Sequence, residues 1–378
     1  MDFGWTSEQA TLYERACAFA RAELNGATEQ GAGLPRAAWR RCGEFGFLGL
    51  PVPERYGGLG VDTLTTARLM EALGRGCLDT GLVFSVGAHL FACVMPLLEG
   101  GSDGQKDRYL PRLASGEWVG ANAITEPEAG SDVFALKTRA VREGEHYVLD
   151  GGKSYVTNGP DADVFLVYAV TDPTHGYMGV SAFLVEKDTP GLRVGRPFQK
   201  MGLSTSPIAP LYLESCRVPA AARLGAEGQG ASVFKRSMQW ERACLFGAYV
   251  GLMERVLEET VDFARQRKQF KRAIGKNQAV SHRLADMKQR LDSARLLLYR
   301  ACWLMDRGQE AELEVSLAKL AISEAAVQCG LDAIQIHGGM GYVVETGIER
   351  VLRDAIPSTL FSGTSEIQRD IIANHLGL

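Results

Sequence analysis

The spacing of apolar positions divides the chain into three stretches. From Ser7 to about Gly116, apolar residues recur at three- and four-residue steps, the period of amphipathic helices. Thr6, with Gln9 three places on, predicts a capping box at the first of them. Glycine–proline clusters at Gly31–Pro35 and Arg55–Gly60 separate the helical pieces. From about Glu117 to Gly230 the pattern shortens to β-rich apolar runs, Val164–Val170 and Val180–Val185. Tyr147–Asp150, then Gly151-Gly152, then Lys153–Val156 predict a hairpin with a Gly-Gly turn. No helix of useful length interrupts this stretch, so an antiparallel barrel or sandwich is expected rather than a βαβ array. After about Ala231 the helical period returns. Leu284, Met287, Leu291, Ala294, Leu298, Ala301 and Met305 form the stripe of a long helix in an antiparallel bundle. Such a stripe is core, and the same pattern with exposed ends suits packing between identical subunits.

The bulk numbers narrow this picture. A chain of 378 residues holds two or three packed domains. Its 46% hydrophobic and 23% charged residues are ordinary for a globular protein. A formal charge of -4 argues against nucleic-acid binding, which needs a basic excess to neutralise phosphates. With no unbroken run of eighteen apolar residues, no membrane span is expected. The opening MDFGWTSEQATLYERA lacks a basic segment followed by an apolar one, so no secretory signal is expected. The eight cysteines (Cys17, Cys42, Cys77, Cys93, Cys216, Cys244, Cys302 and Cys329) include no CxxC pair. They read as reduced cytoplasmic thiols, several of them in the core, with no metal site.

Helices, a small β-region and a helical bundle leave crevices suited to a flat cofactor, and five motifs could line one. "AITEPEAGSD", Ala123–Asp132, combines hydroxyls, carboxylates and Gly130; by itself it reads as a polar turn. "KSYVTNG", Lys153–Gly159, puts a ring and a hydroxyl at a strand end. The basic run Arg265–Lys276, interrupted by Phe270, reads by itself as a solvated face. "QIHGGMGY", Gln335–Tyr342, closes a helix with glycines but lacks the dinucleotide spacing, and His337 alone reads as structural. "FSGTSEIQR", Phe361–Arg369, is a small polar loop feeding a helix, and its tip, Ser362–Ser365, contains no carboxylate and no histidine.

In this order and spacing, "AITEPEAGSD", "KSYVTNG", "RQRKQF" with "NQAV", "QIHGGMGY" and "FSGTSEIQR" resemble the acyl-CoA dehydrogenase family from the first helix to the last. The resemblance implies an α+β fold: an N-terminal helical domain (1–118), a central antiparallel β-barrel domain (119–231) and a C-terminal four-helix bundle (232–378). It implies FAD between the last two domains and a homotetramer (or dimer), since each flavin in the family touches a neighbouring subunit. Ile124 and Thr125 would line the flavin, with Gly130 beside them. Ser131 would face the FAD phosphates or the pantetheine arm of the substrate. Tyr155 and Thr157 would stand on the other side. Arg267, Phe270 and Gln278 would hold the pyrophosphate and adenosine from the partner subunit, with Gln335 and Gly339 on that half and Thr364 and Glu366 on the near side.

Most of the family carries its catalytic glutamate where this chain has Ser362, and a hydroxyl is far too weak a base to replace it. A subset, which includes the isovaleryl and long-chain enzymes, carries it at the position of Glu241, within Met238–Leu245. By itself Glu241 reads as a first-turn carboxylate that complements a helix dipole. The resemblance implies that Glu241 removes the α-proton of a thioester while the β-hydrogen passes as hydride to flavin N5. The Ser362 backbone N–H would bind the thioester carbonyl, with Arg242 and Ser131 also on the substrate side.

Three positions depart from the family pattern: Lys271 stands where glycine is usual, Ser204 for arginine and Ser215 for aspartate. The stretches Trp240–Phe246, Asn277–Leu284 and Phe361–Ser365 look most like the dehydrogenases of carrier-protein thioesters, the prolyl-carrier-protein enzymes among them. An acyl-CoA or a carrier-protein acyl or aminoacyl thioester is therefore the expected substrate. An electron-transfer flavoprotein or oxygen is the expected acceptor. An oxygen-reacting flavin oxidase or monooxygenase, or a non-catalytic binding homologue, remains as an alternative.

Overall fold

The computed structural model describes residues 4–26 and 33–378. Gly31 and Ala32 of the first glycine–proline cluster lie outside that range; Pro35 leads directly into the helix Arg36–Phe45. The helix Ser7–Glu23 begins as expected. The Thr6 hydroxyl accepts from the Gln9 N–H while the Gln9 side chain accepts from the Thr6 N–H.

One buried helical run organises the N-terminal region. Thr80–Gly100 has mean hydropathy 1.9, long and apolar enough to cross a membrane, although His89, Pro96 and Glu99 break the apolar run. It is 89% buried inside the fold and serves as a core helix. His89 joins it to the β-region, accepting from the Gly120 N–H at Nδ1 (2.9 Å) and donating from Nε2 to Leu113 O (3.2 Å). Burial pushes the His89 imidazole down to about 3, so it stays neutral.

The middle region is one sheet of eight strands: β1 (Gly120–Ala123), β2 (Arg139–Glu143), β3 (His146–Thr157), β4 (Val164–Val170), β5 (Val180–Glu186), β6 (Leu192–Val194), β7 (Ile208–Pro219) and β8 (Arg223–Leu224). The order is β6-β7-β3-β2-β4-β5-β8, with β1 on β4. Its pairings are antiparallel apart from β1 with β4 and the single contact of β2 with β4. Strands β4 and β5 are buried on both faces, which explains their unbroken apolar sequence. Phe165, Val167 and Ala169 face the sheet's own core; Val164, Leu166 and Tyr168 join the core shared with the helices.

The expected Gly-Gly hairpin does not form. Residues 146–157 make one strand, paired along β7 with irregularities at Leu149/Gly151 and Lys153/Val156. Gly151, at φ 149°, passes so close to β2 that a Cβ would lie 2.5 Å from the Thr138 hydroxyl. The glycine permits a bulge and a close approach, not a reversal.

In the C-terminal region the helix Gln278–Asp306 buries Met287, Leu291, Ala294, Leu298 and Ala301, the expected stripe. It packs with Phe246–Gln266 and Glu312–His337. The helix Thr63–Gly76 lies hard against Phe246–Gln266. A Cβ on Gly251 would sit 2.0 Å from Glu71 O, so only glycine admits this crossing. Glu71, buried there, accepts from Arg295 (2.8 Å) and Tyr299 (2.8 Å) and ties the first region to the bundle. All eight cysteines are buried and unpaired.

Candidate active site

Glu241 does not open a helix. It follows the helix Gly230–Trp240 without a break, begins a π-helical turn, Glu241–Leu245, and continues into Phe246–Gln266. The first-turn reading is therefore excluded; the carboxylate sits mid-helix, where no dipole end stabilises it. A second π-helical turn, Leu90–Val94, packs against the first. Such wide turns shift the phase of the side chains that follow and mark functional sites often.

The buried Glu241 carboxylate accepts a hydrogen bond from the Ser362 hydroxyl. Two motifs 121 residues apart thus meet side chain to side chain. Burial raises the Glu241 carboxyl above the ordinary carboxylate range; the Ser362 hydrogen bond and the charges of Arg242 and Lys319 oppose that shift without cancelling it.

The loop that carries Ser362 is held from both sides. Arg242 Nε donates to Ser362 O (2.8 Å), and Gln368 Nε2 donates to Gly363 O (3.1 Å). Ser362 adopts φ 58°, a left-handed conformation that serine accepts only under such restraint. Its amide N–H makes no hydrogen bond among the described residues. Thr364 caps the helix Ser365–His375, its hydroxyl accepting from the Ile367 N–H. Glu366 is exposed in the first turn, where helix-end amide and Thr364 hydrogen bonds hold its carboxyl below the usual value.

The "AITEPEAGSD" and "KSYVTNG" segments form one wall. Thr125 O accepts from the Ser154 N–H (2.8 Å). Beneath them a fully buried ion pair joins Lys153 Nζ to Glu126 Oε1 (2.7 Å), and the same ammonium donates to Ile124 O (3.1 Å). Glu126 also accepts from the Lys137 and Thr138 N–H groups (2.7 and 3.1 Å). Burial pushes this carboxyl up, but Lys153 and these donors prevail and hold it below the usual value. Burial in turn pulls the Lys153 ammonium down to about 8. Ile124 is buried, Thr125 and Thr157 are half-buried, and neither threonine hydroxyl is hydrogen-bonded among the described residues. Tyr155, at φ 55°, is exposed with its ring 5.4 Å from that of Phe198. Gly130 and Ser131 lie on the exposed surface of the loop.

Five further candidates gather elsewhere, on the exposed end of the bundle. After Gln266 the chain makes a two-strand ribbon, β9 (Lys268–Gln269) and β10 (Arg272–Ala273), so the basic run is not a helix face. Phe270 and Lys271 occupy its two-residue turn at φ 50° and 66°, the conformation that favours glycine and asparagine. Phe270 is 94% exposed as a result. Arg267, Gln278, Gln335 and Gly339 are exposed as well. His337 stacks on Phe263 (4.2 Å), which brings the end of Glu312–His337 beside the ribbon and gives the histidine its structural role.

Sequence reasoning passed over Lys319, which is fully buried beside this site; its ammonium has no hydrogen-bond partner and lies 5.5 Å over the Phe246 ring. Burial and the charge of Arg242 pull it down to about 8, against the attraction of Glu366 and Glu241. A signal existed: Lys319 falls among Val315, Ala318 and Ile322, at an apolar phase of its helix.

Models of three domains match the chain in order: "Acyl-CoA dehydrogenase, N-terminal domain" at residues 6–117, "middle domain" at 121–216 and "C-terminal domain" at 228–377. The chain is 50% identical to the L-prolyl-[peptidyl-carrier protein] dehydrogenase of Pseudomonas fluorescens over 382 residues, covering 100% of each. Among solved structures, the prolyl acyl carrier protein oxidase AnaB is 48% identical with a TM-score of 0.97, covering 99% of this chain and 100% of its own. PigA with FAD and proline is 46% identical with a TM-score of 0.98, covering 100% of each.

Proposed function

From the premise that this chain belongs to the acyl-CoA dehydrogenase family, we propose that it is an FAD-dependent dehydrogenase of a prolyl group held as a thioester on a carrier protein. The observation that carries the chemistry is the contact between Glu241 and Ser362. It places a carboxylate beside the loop where most relatives keep theirs, although that loop has none of its own. The substrate class rests on the full-length likeness to enzymes named for prolyl carrier proteins.

The residues fit FAD. Two unengaged hydroxyls, Thr125 and Thr157, the buried Ile124 and the exposed Tyr155 ring belong to one pair of joined segments, and the Ser362 amide on another element is unengaged as well. Free donors at a crevice are what a polar, flat cofactor requires. Gly130, Ser131, Thr364 and Glu366 would hold its polar part on the same subunit. Arg267, Phe270, Gln278, Gln335 and Gly339 would reach the cofactor of a neighbouring subunit in a homotetramer, with arginine on phosphate and the exposed ring on the adenine side. When bound, FAD supplies a two-electron acceptor for the β-hydrogen.

The chain's own groups do the rest. Glu241 takes the α-proton; its raised affinity for protons suits it to a weakly acidic C–H. The Ser362 amide donates to the thioester carbonyl oxygen, where negative charge gathers as that proton leaves. Arg242, bonded to Ser362 O, holds the amide in place. Beside Ser362 the rings of Phe84, Phe246 and Phe361 pack against one another at 4.6–5.5 Å.

The test is anaerobic loss of flavin absorbance on mixing with a panel of CoA and carrier-protein thioesters. Bleaching by the prolyl carrier thioester is expected; no bleaching by any member would leave a non-catalytic binding homologue. A second reading has specific support, because one close relative is named an oxidase and another a dehydrogenase. Stoichiometric peroxide without an added acceptor would establish the oxidase; its absence, with turnover restored by electron-transfer flavoprotein, is the expected outcome.

A pH profile tests the role of Ser362. Glu241 must be ionised to act, so the rate should rise with pH through an acid limb above the ordinary carboxylate range. Ser362→Ala removes a hydrogen bond that favours the ionised form, so the limb should move further up while the high-pH plateau falls by no more than a few-fold. An unmoved limb would detach the hydroxyl from the base.

A further inference from the structure

The segment Pro173–Gly179, between β4 and β5, exposes two adjacent large apolar side chains: Tyr177 is 60% exposed and Met178 58%. A line of ring contacts leads inward from them. Tyr177 lies 6.3 Å from Phe134, and Phe134 lies 6.0 Å from Phe234. Phe134 stands two residues after the Ala123–Asp132 segment. Phe234 precedes Glu241 by seven residues, two turns along the same face of the helical run. Phe134, Ala231 and Phe234 are half-buried, so each keeps part of its surface open to solvent. The exposed segment is fixed to the start of that helical run. A Cβ on Gly228, at φ 81°, would lie 2.4 Å from Met178 O, and the Gly228 N–H donates to the Ser181 hydroxyl (2.9 Å). Charge is matched locally here. Asp172 bonds the His175 Nδ1 (2.7 Å), and Glu227 accepts from the Tyr147 hydroxyl (2.5 Å) and from Arg223 (3.3 Å). Neither Pro173–Gly179 nor residues 226–234 contain a lysine or an arginine. Lys235, next along the helix, is paired with Glu312 (3.1 Å).

We propose that Tyr177 and Met178 are the seat for the body of the carrier protein, whose arm then follows Phe134 and Phe234 to Glu241. The proposal rests on the dehydrogenase reading above and adds the surface that recognises the partner. Covalent length limits where the carrier can sit. A phosphopantetheine arm built from ordinary bond lengths extends roughly 18 Å from its serine to its thioester. Ten helical residues separate Ala231 from Glu241, a rise of about 15 Å. An extended arm with its thioester at Glu241 therefore brings the carrier's serine to the start of this helix, where Met178 backs onto Gly228. Charge then chooses between two donors that share the same arm. CoA ends in a 3′-phosphate and a diphosphate, groups that are bound by cations. The only basic side chain in Pro173–Gly179 is His175, and Asp172 already engages it. A carrier brings one phosphodiester and otherwise protein surface, and apolar side chains beside its serine are the match for an exposed tyrosine and methionine. Tyrosine and methionine are also residues that protein interfaces favour.

The test compares the same prolyl thioester in three settings: on the carrier protein, on free phosphopantetheine and on CoA. Anaerobic kcat/KM for flavin reduction is measured in the holoenzyme and in the Tyr177→Ser and Met178→Glu variants, with bound-flavin absorbance as the sign of intact folding. The unaltered holoenzyme should prefer the carrier-borne thioester to the free arm by about 10-fold or more, and prolyl-CoA should do no better than the free arm. Each variant should lower the ratio of carrier-borne to free-arm kcat/KM by on the order of 10-fold, the loss of one interface anchor. That loss should appear in KM, with kcat for the carrier-borne substrate kept, because the chemistry at Glu241 is untouched. A ratio that both folded variants keep overturns the docking surface and leaves the dehydrogenase reading standing. So does a holoenzyme that treats carrier-borne and free-arm thioesters alike, or one that prefers prolyl-CoA. A holoenzyme reduced by none of the three, nor by the wider panel, overturns both.

Discussion

Glu241→Gln is expected to slow anaerobic flavin reduction by on the order of 10⁴-fold, the upper range for loss of a general base. Flavin content and thioester binding should be retained. The amide keeps the shape of the carboxylate and can still accept from the Ser362 hydroxyl. It cannot take a proton from carbon. The hydroxyl of Ser362, the one hydrogen-bond partner of that carboxylate among the described residues, has no basicity to substitute for it. Folding should not suffer. Burial raises the Glu241 carboxyl, so ionisation at neutral pH opposes the folded state, and a neutral amide relieves that cost. The sign follows from linkage: a raised carboxyl favours folding while protonated and loses that contribution as pH rises through its folded value. The unfolding midpoint of the variant at pH 7 should therefore equal or exceed that of the parent. Stopped-flow reduction and thermal melting check the two halves. Retained turnover in the glutamine variant would remove Glu241 from the mechanism.

The second large effect is structural. Lys153→Met should destabilise the protein by about 3–5 kcal/mol, the range for breaking a buried ion pair by removing one partner. Lys153 is fully buried, and without it Glu126 stays inside with its charge unmatched. The damage should reach the wall proposed to hold the cofactor, because the same ammonium holds Ile124 O and anchors the loop that carries Thr125. Flavin is then expected to dissociate at lower urea than global unfolding, measured by release of flavin fluorescence. The double change Lys153→Met with Glu126→Gln should recover part of the stability, since no charge is then stranded. A Lys153→Met variant as stable as the parent would show that the pair contributes nothing net.

Local pattern decides as much as it does because helices and strands advertise their buried faces. The stripe from Met287 to Ala301 reads directly as a bundle helix, and the Thr6–Gln9 box fixes where the first helix begins. The apolar run of β4 announces a strand covered on both sides. The same local reasoning fails at Gly151-Gly152. Two glycines mark either a reversal or a close passage, and what chooses between them is β7, a partner strand some sixty residues away. It fails at Glu241 for a related reason, since nothing in Met238–Leu245 announces an uninterrupted helix with a wide turn at the carboxylate.

The sequence by itself determined the order of helical and β-rich regions, the long bundle helix and the absence of a carboxylate from the tip of the Phe361–Arg369 loop. These depend on residue types and on periods shorter than ten residues. Only the tertiary structure decided that Ser362 bonds Glu241 and that Lys153 neutralises Glu126. Each of these is a pairing across many residues between elements that touch only once the core has formed. The energy that selects them, desolvation of a charge or a polar atom, does not exist until water has been excluded.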